Sequence, residues 1–260
     1  MMIFPFILAQ ASYYYGNDYY AGMPGMYSSV TLVGGVILLL TMLVGGAVQM
    51  GLKNAFNRYA QEAAPLTGAE VARRMLRQNG LDDVQVISTA GRLTDHYNPM
   101  DRTVNLSESV YNEASVAAMA VAAHECGHAI QHARAYPWLG MRSSMVPMVN
   151  LGSRLGQIVL MVGLALLAAG SGTVVAWIGL ALYALTTLFA LVTLPVEFDA
   201  SRRALAWLEQ SGLATRAMHG HAGTALRWAA MTYVAAALSS LAMLLYYALI
   251  IMSRASSNRE

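Results

Sequence analysis

The chain has 260 residues, of which 57% are hydrophobic and only 12% charged. Charged residues make up about a quarter of a typical soluble domain, so this composition excludes a single ordinary one and points to membrane spans. The formal net charge is only +2, the lone cysteine, Cys126, leaves no internal disulfide framework, and no basic patch interleaved with aromatics suggests nucleic acid.

Residues 1–28 form a tail. "MMIFPFILAQ" is apolar but lacks the basic n-region of a signal peptide. The Tyr/Gly-rich "ASYYYGNDYYAGMPGMY" suits a headgroup-level segment. Residues 29–51 carry no charge and are long enough to cross roughly 30 Å of hydrocarbon. No Lys or Arg precedes them, whereas Lys53 and Arg58 follow at once. The positive-inside rule therefore puts the tail outside and the chain from residue 53 in the cytoplasm.

Residues 52–154 are polar enough for a small cytoplasmic domain. Thr67 and Glu70 make a capping box, and the helix they open runs to about Gln78, with Gly80 as its stop. "VQVIS" (84–88) alternates and is rich in β-branched residues, so it reads as a strand. "GRLTDHYNPMDRTVNLS" reads as two extended segments around an Asn98-Pro99 turn. Ser115 caps an Ala-rich helix that Pro137 ends.

The next 42 residues, 155–196, are uncharged. At about 20 residues per span they hold two, 155–172 and 174–195, turning at "AGSGT". Residues 196–228 carry four arginines and read as cytoplasmic; 229–253 form a fourth span, and 254–260 a tail. The tail would lie outside, a placement that Arg254 and Arg259 fit poorly.

The chemistry sits in "VAAHECGHAIQH" (121–132). Residues four apart share a helix face about 6 Å apart along the axis, so His124 and His128 can both point at one zinc ion. Glu125 is about 100° round from His124, placed to take a proton from water without ligating. Catalytic zinc usually takes three protein ligands. His132 lies about 12 Å along the axis from His124, too far on an unbroken helix, and Cys126 faces elsewhere. Glu197 in "LPVEFDASRRAL" is the candidate third ligand, with Asp199 as runner-up. Pro195 suits a helix start, which puts Glu197 in a first turn and Ser201 one turn on.

"GRLTDHYNP", "VNLSESVYN", "VAAHECGHAIQH" and "LPVEFDASRRAL" together resemble the membrane gluzincins, the HtpX heat-shock protease and CAAX prenyl protease among them. The closer resemblance is to the YugP-like neutral zinc metallopeptidases of bacterial membranes. It covers most of the chain from about residue 67 to 205. The resemblance implies a zinc endopeptidase with His124, His128 and Glu197 as ligands and Glu125 as base. In the HtpX-type proteins an Asp four residues after the ligand Glu orients a histidine; here that position is Ser201, and Asp199 is the available substitute. The resemblance also places "TDHYNP" along the substrate cleft, where His96 or Tyr97 could donate a hydrogen bond to the oxyanion. "HGH" (219–221) is a further candidate donor.

The expected fold is an α-helical multi-pass membrane protein of four spans with a small cytoplasmic α+β zincin-like metallopeptidase domain. The expected partners are the lipid bilayer and a peptide or protein substrate, membrane proteins included. The expected location is the bacterial cytoplasmic membrane, active site inward. The alternative is a membrane zinc protein without protease activity, a transporter or a structural site. A transporter needs metal-binding side chains on several spans, and the four spans hold no Asp, Glu, His, Lys or Arg.

Overall fold

The computed structural model describes residues 26–257; most of the 1–28 tail and the last three residues of the 254–260 tail lie outside them. Among the described residues, four helices are long and apolar enough to cross a membrane: α1 (Met26–Tyr59), α5 (Pro137–Ala168), α6 (Thr173–Gln210) and α7 (Arg216–Ser257). The shorter elements between α1 and α5 are α2 (Gly68–Gln78), β1 (Gln85–Thr89), β2 (His96–Asn98), β3 (Thr103–Ser107), α3 (Glu108–Asn112) and α4 (Val116–Ala133).

The chain divides into two compact units. One comprises residues 26–47, Met145–Leu191 and 233–257. Its core includes Leu160, Leu167, Ala176, Leu180, Tyr247 and Ile251. α5 and α6 meet here backbone to backbone: a Cβ on Gly163 would stand 2.4 Å from the Ala176 nitrogen. Small residues allow such approach where both partners are apolar and packing must supply the association energy. The turn between the two helices falls at "AGSGT" as the sequence predicts. Gly170 and Gly172 take φ of 81° and 78°, a region costly for any residue with a Cβ.

The second unit, Val48–Ser144 with Val192–Thr232, holds every candidate site residue. The capping box forms as expected: the Thr67 hydroxyl accepts from the Glu70 amide at 3.3 Å, and Glu70 Oε2 accepts from the Thr67 amide at 2.8 Å. α2 then ends at Gln78. Burying Val71, Ala72, Met75 and Leu76, it packs on α4.

The three strands form one sheet in the order β1-β3-β2, with β3 parallel to β1 and antiparallel to β2. The hairpin turn follows Asn98, whose Oδ1 accepts from the Met100 amide at 2.9 Å. That contact closes an Asx turn, the reason Asn-Pro is a strong turn signal. All of β3 is buried, and its Asn105 pairs with His96 on the edge strand β2.

Ser115 caps α4 by accepting from the Ala118 amide at 3.2 Å. Along α4 only His124, His132 and Ala133 escape burial. An alanine-rich helix that is apolar all round belongs in a core, and here its neighbours include α2, α3 and the sheet.

Two proline expectations are corrected. α4 ends at Ala133, before Pro137, and Pro137 opens α5 instead; a first helical position needs no N–H. Pro195 starts no helix: it lies inside α6, so Glu197 projects from the middle of a 38-residue helix and not from a first turn. The missing Pro195 N–H leaves the Leu191 carbonyl without its helical donor. An apolar helix held by neighbours tolerates that loss.

Candidate metal centre

α4 and α6 bring the three predicted ligands together. His124 Nε2 lies 3.3 Å from Glu197 Oε2, and His128 Nε2 lies 3.7 Å from the same oxygen. All three ligand atoms fall within 4.8 Å of one another. For metal–ligand bonds of about 2.0–2.1 Å, tetrahedral geometry sets donor atoms about 3.4 Å apart. The two histidine–carboxylate spacings come within a few tenths of an ångström of that value, and closing the 4.8 Å group onto one zinc ion takes a shift of about an ångström. Two imidazoles and one carboxylate, converging from a buried site, are also the right donor types for zinc. The two rings stand edge to face, with centroids 4.8 Å apart.

Gly127 makes this convergence possible. A Cβ there would stand 2.6 Å from the carbonyl oxygen of Ala200, which no real side chain does. The second variable position of the H-E-x-x-H pattern thus serves as the contact face between the two ligand-bearing helices.

Each ligand has a partner behind it. Ser201 Oγ is 3.1 Å from His124 Nδ1, so the residue that stands where an Asp was expected still holds that histidine. His128 Nδ1 contacts Gln131 Oε1 at 3.0 Å. Glu197 Oε1 faces the Arg142 guanidinium at 3.5 Å, which leaves Oε2 for the histidines. Burial pulls the His128 pKa down, but the Glu197 and Glu125 carboxylates together outweigh it and leave it raised.

Asp199 is buried but outside the ligand group: it accepts from Gln131 Nε2 at 2.9 Å and pairs with Arg202 and Arg203. Glu125 is also buried, 9% exposed, and none of the described residues holds its carboxylate by a hydrogen bond or ion pair. Its oxygens, without a protein partner, keep contact with solvent. Such a group is available to water and substrate.

The remaining candidates separate. His132 is exposed, outside the ligand group, and its Nδ1 is 2.8 Å from the Tyr97 hydroxyl. Burial raises the Tyr97 pKa, so this phenol keeps its proton. His96 is exposed on β2, with Nδ1 2.7 Å from the Thr94 carbonyl. Cys126 is wholly buried; burial, with Glu125 adding to it, pushes its thiol well above the usual range, which makes it inert. His219 contacts the Leu205 carbonyl, and His221 pairs with Glu62 at 2.7 Å while stacking on Tyr59. Neither joins the ligand group.

Gln131 and Arg142 are absent from the sequence reading. Gln131 had a signal, a polar residue three places after a ligand on an otherwise apolar helix. Arg142 had none, because its meeting with Glu197 depends on where α5 begins.

The pattern of known proteins agrees with this donor set. A family model described as "Putative neutral zinc metallopeptidase" matches residues 35–252. The chain belongs to this neutral zinc metallopeptidase family. It is 41% identical over 212 residues to "Putative membrane protease YugP" of Bacillus subtilis (strain 168), covering 81% of this chain and 92% of that protein. No solved structure matches the chain. Zinc is accordingly the metal of the family, and His124, His128 and Glu197 are the residues placed to hold it.

Proposed function

We propose that the chain is a gluzincin-type zinc metalloendopeptidase of the cytoplasmic membrane, cleaving peptide bonds of proteins, membrane proteins among them, on the cytoplasmic side. The observation that carries this reading is the combination of the His124–His128–Glu197 donor set with a buried, unpartnered Glu125. A structural or transport site needs the donors but has no use for the base. Membership of a zinc metallopeptidase family and likeness to a protein named as a membrane protease support the same reading.

Bound zinc would supply Lewis acidity, lowering the pKa of water and polarising the scissile carbonyl. Glu125 then accepts the proton of the attacking water and passes it to the leaving amine nitrogen. Ser201 holds His124 by its Nδ1, and Arg142 holds the Glu197 oxygen that faces away from the histidines. For the oxyanion we assign Tyr97, with His96 as the neighbouring candidate. Tyr97 is protonated, already bonded to His132, and carried on the edge strand that packs against α4.

The spans are assigned to 29–51, 155–172, 174–195 and 229–253, with 52–154 and 196–228 in the cytoplasm and the two tails outside. The charge distribution supports this: no Lys or Arg precedes the first span, and Lys53 and Arg58 follow it. Cleavage of casein by the purified protein, with zinc content measured on the same sample, tests the activity. A zinc-loaded protein that cleaves neither casein nor membrane-protein substrates would contradict it.

A further inference from the structure

Gln131 is fully buried on α4, and its amide has one workable orientation. Nε2 lies 2.8 Å from the Val196 carbonyl oxygen and 2.9 Å from Asp199 Oδ2. Both partners accept hydrogen bonds, so this atom must be the donating nitrogen, and the amide cannot be flipped. The oxygen Oε1 is therefore the atom 3.0 Å from His128 Nδ1. An amide oxygen only accepts, so Nδ1 carries the proton. In the neutral ring that leaves Nε2 as a bare lone pair, and Nε2 is the atom turned toward Glu197 Oε2.

Behind Gln131, Asp199 Oδ2 also takes the Arg203 Nε at 2.5 Å, and Oδ1 takes Arg202. Two guanidinium groups compensate its charge. The Arg202 side chain is 75% exposed, so an unbroken chain of polar contacts runs from a ligand histidine to the surface. Gln131 bridges the two helices behind the site, joining His128 on α4 to Val196 and Asp199 on α6.

We propose that Gln131 and Asp199 are positioning residues that fix the tautomer and ring orientation of His128 for zinc. Resting on the metal-site reading above, this adds a His128–Gln131–Asp199 relay to the Ser201–His124 contact. Partners that fix a ligand histidine in this way typically contribute 10- to 100-fold to metal affinity.

The test is zinc affinity of the full chain by chelator competition, with thermal unfolding followed on each variant. Gln131→Met should bind zinc about 10- to 100-fold more weakly. Gln131→Glu should recover most of that loss. A protonated glutamic acid still accepts from Nδ1 with one oxygen and donates to Asp199 with the other. A merely space-filling role predicts the opposite order, because Met fills the volume without burying an acid. Asp199→Ala, which touches no zinc ligand, should weaken zinc by a similar factor.

Cys126→Ala, equally buried on the same helix, should leave zinc affinity unchanged. If Gln131→Met and Asp199→Ala hold zinc as the wild type does, or if Glu at 131 binds more weakly than Met, the proposal is overturned. If the wild type binds no zinc, or His128→Ala binds it undiminished, the metal-site reading itself fails. The two failures are therefore distinguishable.

Discussion

Gly127 of α4 lies so close to Ala200 of α6 that a Cβ on it would stand 2.6 Å from the Ala200 carbonyl oxygen. The neighbour is backbone within a helix and cannot turn aside. Gly127→Ala should therefore push the two helices apart, where the histidines and Glu197 must meet. Overpacking of this kind costs about 1–3 kcal/mol. A lowered unfolding temperature and at least a tenfold loss of zinc affinity are expected. A Gly127→Ala protein as stable and as zinc-avid as the wild type would show that this contact does not set the site.

The ligand set makes a contrast within one motif. His124→Ala, His128→Ala and Glu197→Ala should each strip most of the zinc, while His132→Ala should leave most of it. His132 is exposed and bonded to Tyr97, outside the donor group. Metal analysis of the four purified variants decides this. Loss of zinc in His132→Ala with retention in Glu197→Ala would reassign the third ligand.

Ser201→Ala removes the oxygen 3.1 Å from His124 Nδ1. Zinc affinity should fall by about 10- to 100-fold. The fold should survive, since Ala200 and Ala204 beside it are already buried alanines. Unchanged zinc affinity would make the Ser201 contact incidental.

Much of this centre was legible in the sequence, and the limits are physical. The Thr67–Glu70 capping box, the Asn98-Pro99 turn and the Ser115 cap are local hydrogen-bonding devices that work within a few residues, and each appears where the sequence put it. The His124–His128 spacing is likewise local, a property of one helix turn. Pro195 misled because the rule that prolines open helices assumes an interior proline is too costly. In α6 an apolar run precedes it, Val196, Glu197 and Asp199 just after it are buried against neighbours, and the helix continues. Gln131 and Arg142 went unseen because their roles depend on partners brought in from other elements. A buried glutamine between two helices, or an arginine early in α5, has no periodicity to betray it.

Sidedness is tested with a cysteine in the hairpin turn. Asp101 is exposed between β2 and β3. Cys126, the chain's one cysteine, is buried with a thiol pushed well up in pKa, so it should stay silent. In Asp101→Cys, an impermeant maleimide should label inverted vesicles and spare right-side-out ones. Labelling from outside would put the site on the other face of the membrane.

The most direct test of the central claim is Glu125→Gln, assayed by single-turnover peptide hydrolysis with zinc stoichiometry measured on the same samples. Gln is nearly isosteric with Glu, and the donor set of His124, His128 and Glu197 is untouched, so zinc should bind almost normally. What is lost is the oxygen that accepts the proton of the attacking water. General acid–base catalysis is typically worth about 10²–10⁴-fold, and hydrolysis should fall by at least that order. A Gln variant with full zinc and full activity would contradict the hydrolase mechanism.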